Sequence, residues 1–425
     1  MKVALINTTD AGGGAPVATM RLLKALEQKQ VDVRLQVQEK KTTEERVHSL
    51  GSGPFDRLKI KFNFFYERLP FIWFKAKNRS LRFAFSTANT GTDISKQPAI
   101  EDADILHLHW TNFGYLSIDN LKALLETGKP IVWTLHDMWS FTGGCHYAGD
   151  CDHFIAECGN CWMLRDGGNN DISHTGWLHK ADIYEAAKNI VFVTCSNWLA
   201  GVARSSSLLK HFRIEAIPNP IDTVIFSPKD KVAAREKWNI DPGSKIVLFG
   251  AANILDRRKG LIYLVEALHD LKKNYKDIDA VEIVIFGKNK SFDVKQLPFK
   301  AHELKLINSQ EEMAEVYSLA DVYVTPAIED NLPNTVMEAL ACGIPVVAFN
   351  TGGIPDMVEH LQNGYLAEFK SALDLAAGIH YILNSESKNE LKTNARKKVL
   401  HNFTNDIVAS KYIAVYKSIL KNGEF

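Results

Sequence analysis

Residues 2–37, KVALINTTDAGGGAPVATMRLLKALEQKQVDVRLQV, decide the fold. A short apolar run, KVALIN, leads into a glycine-rich turn, TTDAGGGAP. VATMRLLKAL then places Val17, Met20, Leu23 and Leu26 near the spacing of one helical face. VDVRLQV follows with Val31, Val33, Leu35 and Val37 in strict alternation, the period of a strand. Strand, helix and strand in that order make a βαβ unit.

The same grammar recurs. ADILHLHW (103–110), PIVWTLHD (130–137) and NIVFVTCS (189–196) are apolar runs that end in polar or small residues. Parallel strands whose C-terminal ends line a cleft read this way. The second half repeats it with SKIVLFGA (244–251), VEIVIFG (281–287), HELKLIN (302–308), DVYVTPA (321–327) and IPVVAF (344–349), alternating with helical stretches such as 261–273 and 311–320. The predicted fold class is therefore α/β, with two facing Rossmann-like, doubly wound domains and a ligand cleft between them. RIEAIPNPIDTVIFSP (213–228), with prolines at 218, 220 and 228, reads as the linker. The expected boundaries are 1–216 for the first domain, with a Cys-rich loop at 143–162, and 217–400 for the second. A helix at 401–425, with Phe403, Ile407, Val408, Tyr412, Tyr416 and Ile419 on one face, is expected to dock back on the first domain.

At 425 residues, two domains with sizeable cores are the default. Fifty basic residues balance fifty acidic ones, which gives no overall drive toward nucleic acid, so no nucleic-acid partner is expected. An apolar share of 46% suits a folded globular chain. The start lacks the pattern of a signal peptide, and no apolar run reaches the length of a membrane span. The expected setting is cytoplasmic, either free or peripheral on the inner face of the membrane.

Three stretches carry candidate chemistry. In EDNLPNTVMEALACGIP (329–345), Thr335 followed by Glu338 has the spacing of a capping box, and Asp330 lies on the approach to the same helix. Glu338 reads as a cap, as a ligand group, or as both. Asp256-Arg257-Arg258-Lys259-Gly260 follows a strand and precedes a helix, where a cationic cluster is either a solvated face or a diphosphate clamp. Gly12, Gly13 and Gly14 lie between the first strand and its helix, either as a tight turn or as amides for an anion. Val17 stands where a dinucleotide fingerprint needs glycine, and no Gly-Lys-Ser/Thr follows, so hydride transfer and P-loop hydrolysis lose support.

This combination resembles the retaining glycosyltransferases of family 4, which have the GT-B fold, over essentially the whole chain. EDNLPNTVMEALACGIPVVAFNTGGIPDMV is similar to that family's E-x7-E segment, with Asp330 in place of the first Glu and Glu338 as the second. Lys259-Gly260 matches its diphosphate lysine motif and IPNPID (217–222) its hinge. DILHLHW, VWTLHDMWSFTGGCHY and CGNC are similar to a colanic-acid-type subgroup that builds bacterial surface polysaccharides. The resemblance implies a nucleotide-diphosphate sugar, UDP- or GDP-linked, as co-substrate, with no catalytic cofactor and metal-independent chemistry. A glycan or a lipid-linked oligosaccharide would be the acceptor.

His136, Lys259, Asp330 and Glu338 are the implied catalytic residues. Arg258, Asn331, Leu332, Pro333, Asn334 and Thr335 would complete the donor site with Glu338. The Gly12–Gly14 loop and His109 would lie by acceptor and phosphate. Asn253 stands where many members carry Arg, which shifts neutralisation of the diphosphate to Arg258 or Arg257. A sugar-nucleotide epimerase on the same architecture and a non-catalytic sugar-nucleotide or glycan-binding protein are the alternatives.

Further residues stand outside these motifs. His107 and His109 alternate on one strand and so share a face, and Asp137 follows His136, placed to orient it. Cys145, Cys151, Cys158 and Cys161 have the spacing C-x5-C-x6-C-x2-C, which suits a tetrahedral structural zinc; four free thiols and a redox pair at Cys158 and Cys161 are the other readings. Residues 59–82 carry seven basic residues, one acidic residue and seven aromatics, as a domain core with a solvated basic face or as a peripheral membrane contact.

Overall fold

The structure, a computed structural model, describes residues 1–51, 53–304, 306–307 and 309–422. The chain divides into two compact units, Met1–Pro218 with Val408–Phe425, and Asn219–Ile407.

The first unit is built on β1 (Lys2–Thr9), β2 (Asp32–Glu39), β3 (Val47–Ser49), β4 (Ile105–Leu108), β5 (Ile131–Leu135), β6 (Ile190–Thr194) and β7 (Arg213–Ala216). They form one seven-stranded sheet in the order β3-β2-β1-β4-β5-β6-β7, and every pairing is parallel. A parallel sheet must be covered on both faces. One face packs Val3, Leu5, Val33 and Leu35 against Leu22 and Leu26 of the first helix (Gly14–Gln28) and against Tyr412, Val415, Tyr416 and Ile419 of the last (Asn405–Asn422). The other buries Ile6, Leu106, Leu108, Trp133 and Phe192 among the intervening helices and loops.

The second unit holds β8 (Lys245–Asn253), β9 (Val281–Lys288), β10 (Lys300–Leu304), β11 (Val322–Thr325), β12 (Val346–Phe349) and β13 (Gly364–Ala367). Their order is β10-β9-β8-β11-β12-β13, again all parallel. The expected strand HELKLIN is represented by β10; its Lys305 and Asn308 lie outside the described residues.

In each sheet the strand order reverses once, between β1 and β4 and between β8 and β11. The crossovers on either side of such a point lead away from each other and leave a crevice beyond the strand C-termini, where doubly wound folds bind ligands. The glycine loop follows β1 and His109 follows β4. The Asp256–Gly260 segment follows β8, and Asp330 with Glu338 follows β11.

Two local expectations are corrected. RIEA, read as linker, is the edge strand β7, in which only Ile214 is buried. The Thr335–Glu338 capping box does not form. The helix is Asn334–Ala341 with Pro333 at its N-cap, so Thr335 already lies inside the first turn and no side chain caps it. Among the described residues no helix is long and apolar enough to cross a membrane.

Candidate functional site

In the second unit, β8 delivers the chain to a single 3-10 turn, Arg257–Lys259. Asp256 opens it by accepting from the Arg258 amide at 3.0 Å and from its guanidinium at 2.7 Å. Burial pushes the Asp256 carboxyl up, but the Arg258 charge and hydrogen bonds outweigh it and hold the group below the usual carboxylate range. Arg258 is thereby committed to Asp256, whereas Arg257 is exposed and has no carboxylate partner among the described residues. Gly260 closes the turn at φ +68, and a Cβ there would stand 1.8 Å from the Pro326 carbonyl oxygen. Only glycine lets the turn lie this close to the chain leaving β11.

That approach brings Lys259 to Asp330. Lys259 Nζ donates to Asp330 Oδ2 at 2.6 Å, across 71 residues of sequence, with both side chains partly open to solvent. Asp330 is held by its own backbone, since its carbonyl accepts from the Gly353 amide at 3.2 Å and lies where a Cβ on Gly352 would collide. Asn331, Leu332 and Pro333 are buried, and Asn334 accepts from the Asn219 amide group at 3.3 Å. Thr335 hydrogen-bonds the Tyr323 hydroxyl. Glu338 is buried in the second turn, where its Oε2 accepts from the Tyr317 hydroxyl at 2.8 Å. Burial first, and the Glu338 charge second, drive the Tyr317 hydroxyl well above its ordinary range, so it remains a donor. Tyr317 comes from a neighbouring helix (Gln310–Ser318), and nothing in the local sequence marks it.

In the first unit the histidines gather beyond β4 and β5. His107 lies within the sheet, held by the Tyr416 hydroxyl and Thr134 Oγ1, both at 2.7 Å. His109 Nδ1 meets His136 Nε2 at 3.0 Å with the rings stacked, and Cys195 Sγ stands 3.7 Å from His136 Nδ1. Burial lowers all three, His107 to about 3 and His136 to about 4, and the neighbouring imidazoles add to this for His107 and His109. Burial thus favours the neutral rings at pH 7, so in the His109–His136 bond one ring nitrogen donates and the other accepts.

Asp137 acts on His136 through its charge, which raises the imidazole against the larger effect of burial. The Asp137 carboxylate accepts from Trp110 Nε1 at 2.9 Å, from His146 at 2.8 Å and from the Trp139 amide at 2.9 Å. His146 Nε2 in turn meets Ser86 Oγ at 3.0 Å. Ser86, His146 and Asp137 thus have the order of a charge relay, but Ser86 is buried and is no nucleophile for a solvent-borne substrate. The relay fixes Trp110 and the loop after β5; its members are scattered in sequence, and their spacing gave no signal. Gly12 and Gly13 have positive φ and, with Gly14, are exposed at the start of their helix, which no side chain caps.

The zinc expectation finds no assembled site. Among the described residues no three Cys, His, Asp or Glu are placed to hold one metal ion, and all six cysteines are free thiols. The loop is fixed by other means. Cys158 Sγ accepts from the Gly143 amide at 3.1 Å, Asp171 takes the Cys161 amide at 2.8 Å, and buried Lys180 donates to the carbonyls of Trp139 and Thr142 at 2.6 and 2.9 Å. Burial raises the thiols, Cys158 to about 11 and Cys161 to about 12, and lowers Lys180 to about 7.

Two doubly wound parallel units, each with its candidate residues at the switch point of its sheet, define the GT-B class of fold. Residues 12–224 match the model of Glycosyltransferase Family 4 and residues 230–398 that of Glycosyl transferases group 1, and the chain belongs to glycosyltransferase family 4. Among curated relatives it is 27% identical to a D-inositol 3-phosphate glycosyltransferase of Pseudarthrobacter chlorophenolicus, over 64% of this chain and 60% of that one. The chain thus spans less than two thirds of that relative's length. Among solved structures, a sucrose-phosphate synthase from Thermosynechococcus elongatus superposes with a TM-score of 0.66 at 18% identity, covering 99% of both chains. Anabaena HepE in complex with UDP-glucose gives 0.64 at 14% identity, covering 98% of this chain and 100% of that one. At such identities the likeness concerns the fold.

Proposed function

We propose that the protein is a retaining glycosyltransferase. It moves a hexosyl group from a nucleotide-diphosphate sugar, UDP- or GDP-linked, to a glycan or lipid-linked acceptor in bacterial surface polysaccharide synthesis of the colanic-acid type. The observation that carries this is the Lys259–Asp330 pair at the β8/β11 switch point, with Glu338 eight residues further on. HepE, solved with UDP-glucose, supports a sugar nucleotide as the ligand class.

The pair supplies a resting state that a donor would exchange. A diphosphate takes over Lys259, with Arg257 and the uncapped start of the Asn334–Ala341 helix adding positive potential. Asp330, released, accepts from sugar hydroxyls, and Glu338 accepts from the ribose. Neutral His109 and His136, with the Gly12–Gly14 loop, serve the acceptor side. The acceptor oxygen bonds the anomeric carbon on the face from which the diphosphate leaves. The bond from that carbon to the diphosphate breaks, its electron pair stays with the phosphate, and the phosphate takes the acceptor's proton. Preorganised positive charge at the leaving group does most of the work.

Calorimetric titration with UDP, GDP and their sugar conjugates tests the reading, followed by turnover with acceptor. Lys259→Ala should lower turnover at least about a hundredfold, the scale of removing one preorganised charge from a developing anion. Full activity in that variant rejects the assignment. Release of nucleotide diphosphate only when acceptor is present marks transfer, whereas inversion of the donor sugar marks an epimerase. Binding without turnover, unchanged by His136→Ala, marks a binding protein.

A further inference from the structure

The helix Pro54–Tyr66 is built inside out. Phe55, Leu58, Phe62 and Phe65 recur at intervals of three and four as one stripe on this helix, and all four are exposed, as are Leu69, Ile72 and Trp73 in the turn and the short helix (Phe71–Phe74) that follow. Phe55 is 86% exposed, and Phe65 and Trp73 are each 68% exposed. The polar residues Asn63 and Glu67 face inward instead. Asn63 donates to the Gly114 carbonyl at 3.3 Å and accepts from Thr90 at 3.1 Å, while the Glu67 carbonyl accepts from Thr87 at 2.8 Å. Arg68 stacks on Phe64 at 3.7 Å and Phe113 at 4.6 Å, which fastens the segment to the loop after β4. The polar face thus has partners elsewhere in the unit, whereas the stripe's ring contacts among the described residues, Phe62 with Tyr66 and Phe65 with Phe64, stay within the helix.

Lys59 and Lys61 flank the stripe on its two sides at 3.6 residues per turn, and Arg57, Lys77 and Arg82 lie around it. All five are exposed without a carboxylate partner among the described residues, and no exposed acidic residue lies between 54 and 83. A contiguous apolar surface of this kind marks an interaction site. A second copy of the chain on this face would bring the same cations, without added acidic groups, into one interface, which leaves their charge uncompensated. An anionic bilayer meets both features at once, taking the aromatic stripe into its headgroup and acyl boundary and the cations onto its phosphates.

We propose that residues 54–83 seat the first unit on an anionic membrane surface, with Phe55, Phe62, Phe65 and Trp73 inserted and Lys59 and Lys61 on lipid phosphate. The seat stands independently of transfer activity. Phe113, which stacks edge-on against Phe64 and Trp110, links it to the loop that Asp137 fixes beside His136. Resting on the proposed transfer reading, the seat selects a lipid-borne acceptor over a soluble glycan.

The test is co-sedimentation of the full chain with phosphatidylcholine vesicles and with vesicles containing about one third phosphatidylglycerol, which carry the negative surface potential the cations would meet. Binding to the anionic vesicles is expected, reduced about tenfold or more by Lys59→Glu with Lys61→Glu, and similarly by Phe62→Ser with Phe65→Ser. These positions are exposed, so unchanged melting temperatures should accompany the loss. Equal partition onto both vesicle types, or sedimentation unaffected by either double variant, overturns the proposal. A homodimer of the wild type that Phe62→Ser with Phe65→Ser dissociates, without vesicle binding, also overturns it and assigns the face to self-association. Nucleotide titration on the same samples reports on the transfer reading separately.

Discussion

Glu338 has two physical jobs that one substitution separates. It accepts a buried hydrogen bond from Tyr317, and its carboxylate is the group proposed for the ribose. Glu338→Gln retains an acceptor oxygen for Tyr317, so the stability cost is bounded by the difference between a charged and a neutral acceptor, about 1 kcal/mol. Nucleotide affinity should fall about tenfold or more, because two ribose hydroxyls lose charge-assisted bonds. Calorimetry beside a melting curve measures both, and intact affinity with lost stability would make Glu338 purely structural. The histidines make a second prediction at this scale. His107 and His136 are held at about 3 and about 4 in the folded chain, against an ordinary value near 6.5 when unfolded. Between these values the unfolded chain binds more protons, so the stabilisation is complete above about pH 6.5 and is lost as pH falls toward 4. From pH 6.5 to 5 the loss should be about 2 kcal/mol for each of the two. Urea denaturation at both pH values measures it. His107→Gln, which offers an acceptor and a donor to Tyr416 and Thr134, should remove its share of the slope; an unchanged slope refutes the neutral cluster.

At the scale of elements, what was legible depended on whether the signal was a period or a contact. The alternation in VDVRLQV and the apolar runs ahead of His136 and Gly250 report burial directly, and β2, β5 and β8 stand where those runs do. Thr335 with Glu338 had the spacing of a cap, but Pro333, with φ near −64, takes the N-cap itself, which moves both residues two positions inward. The basic and aromatic content of 59–82 was equally visible, yet composition left a domain core and a membrane contact both open. The side on which Asn63 and Glu67 find partners, and hence which face turns outward, is a tertiary fact. The turn Arg257–Lys259 offers a test of an element as a whole. Gly260→Ala puts a Cβ against the Pro326 carbonyl in a backbone conformation that costs about 1–3 kcal/mol for a non-glycine residue. Stability should fall by at least that amount, and donor affinity should weaken because Lys259 is carried on the displaced turn. A variant with unchanged affinity would show that the turn does not position Lys259.

For the molecule as a whole, the two-sheet architecture was legible because each βα repeat announces itself locally, whereas the short edge strands β3, β7 and β13 have only three or four residues and mixed burial. The histidine cluster was only half legible: His107 and His109 share a face by period, but their partners Tyr416, Thr134 and His136 come from 309, 27 and 27 residues away. Those partners make the last helix part of the first unit's core, with Tyr412, Val415, Tyr416 and Ile419 closing one face of its sheet. Removing a single large buried side chain costs about 3–5 kcal/mol, and an average domain has only about 5–15 kcal/mol in total. Deleting residues 408–425 should therefore unfold the first unit outright while Asn219–Ile407 keeps its own core. Hydrogen exchange on the truncated chain should show β4 and β5 unprotected and β8 and β11 still protected. Tyr416→Phe supplies the graded version. It keeps the ring and removes the hydroxyl from His107 Nδ1, leaving a buried ring nitrogen unpaired at a cost of about 1–3 kcal/mol confined to the first unit. Equal loss of protection in both units would mean that they unfold as one, and the stability of the donor-side residues would then depend on a helix at the other end of the chain.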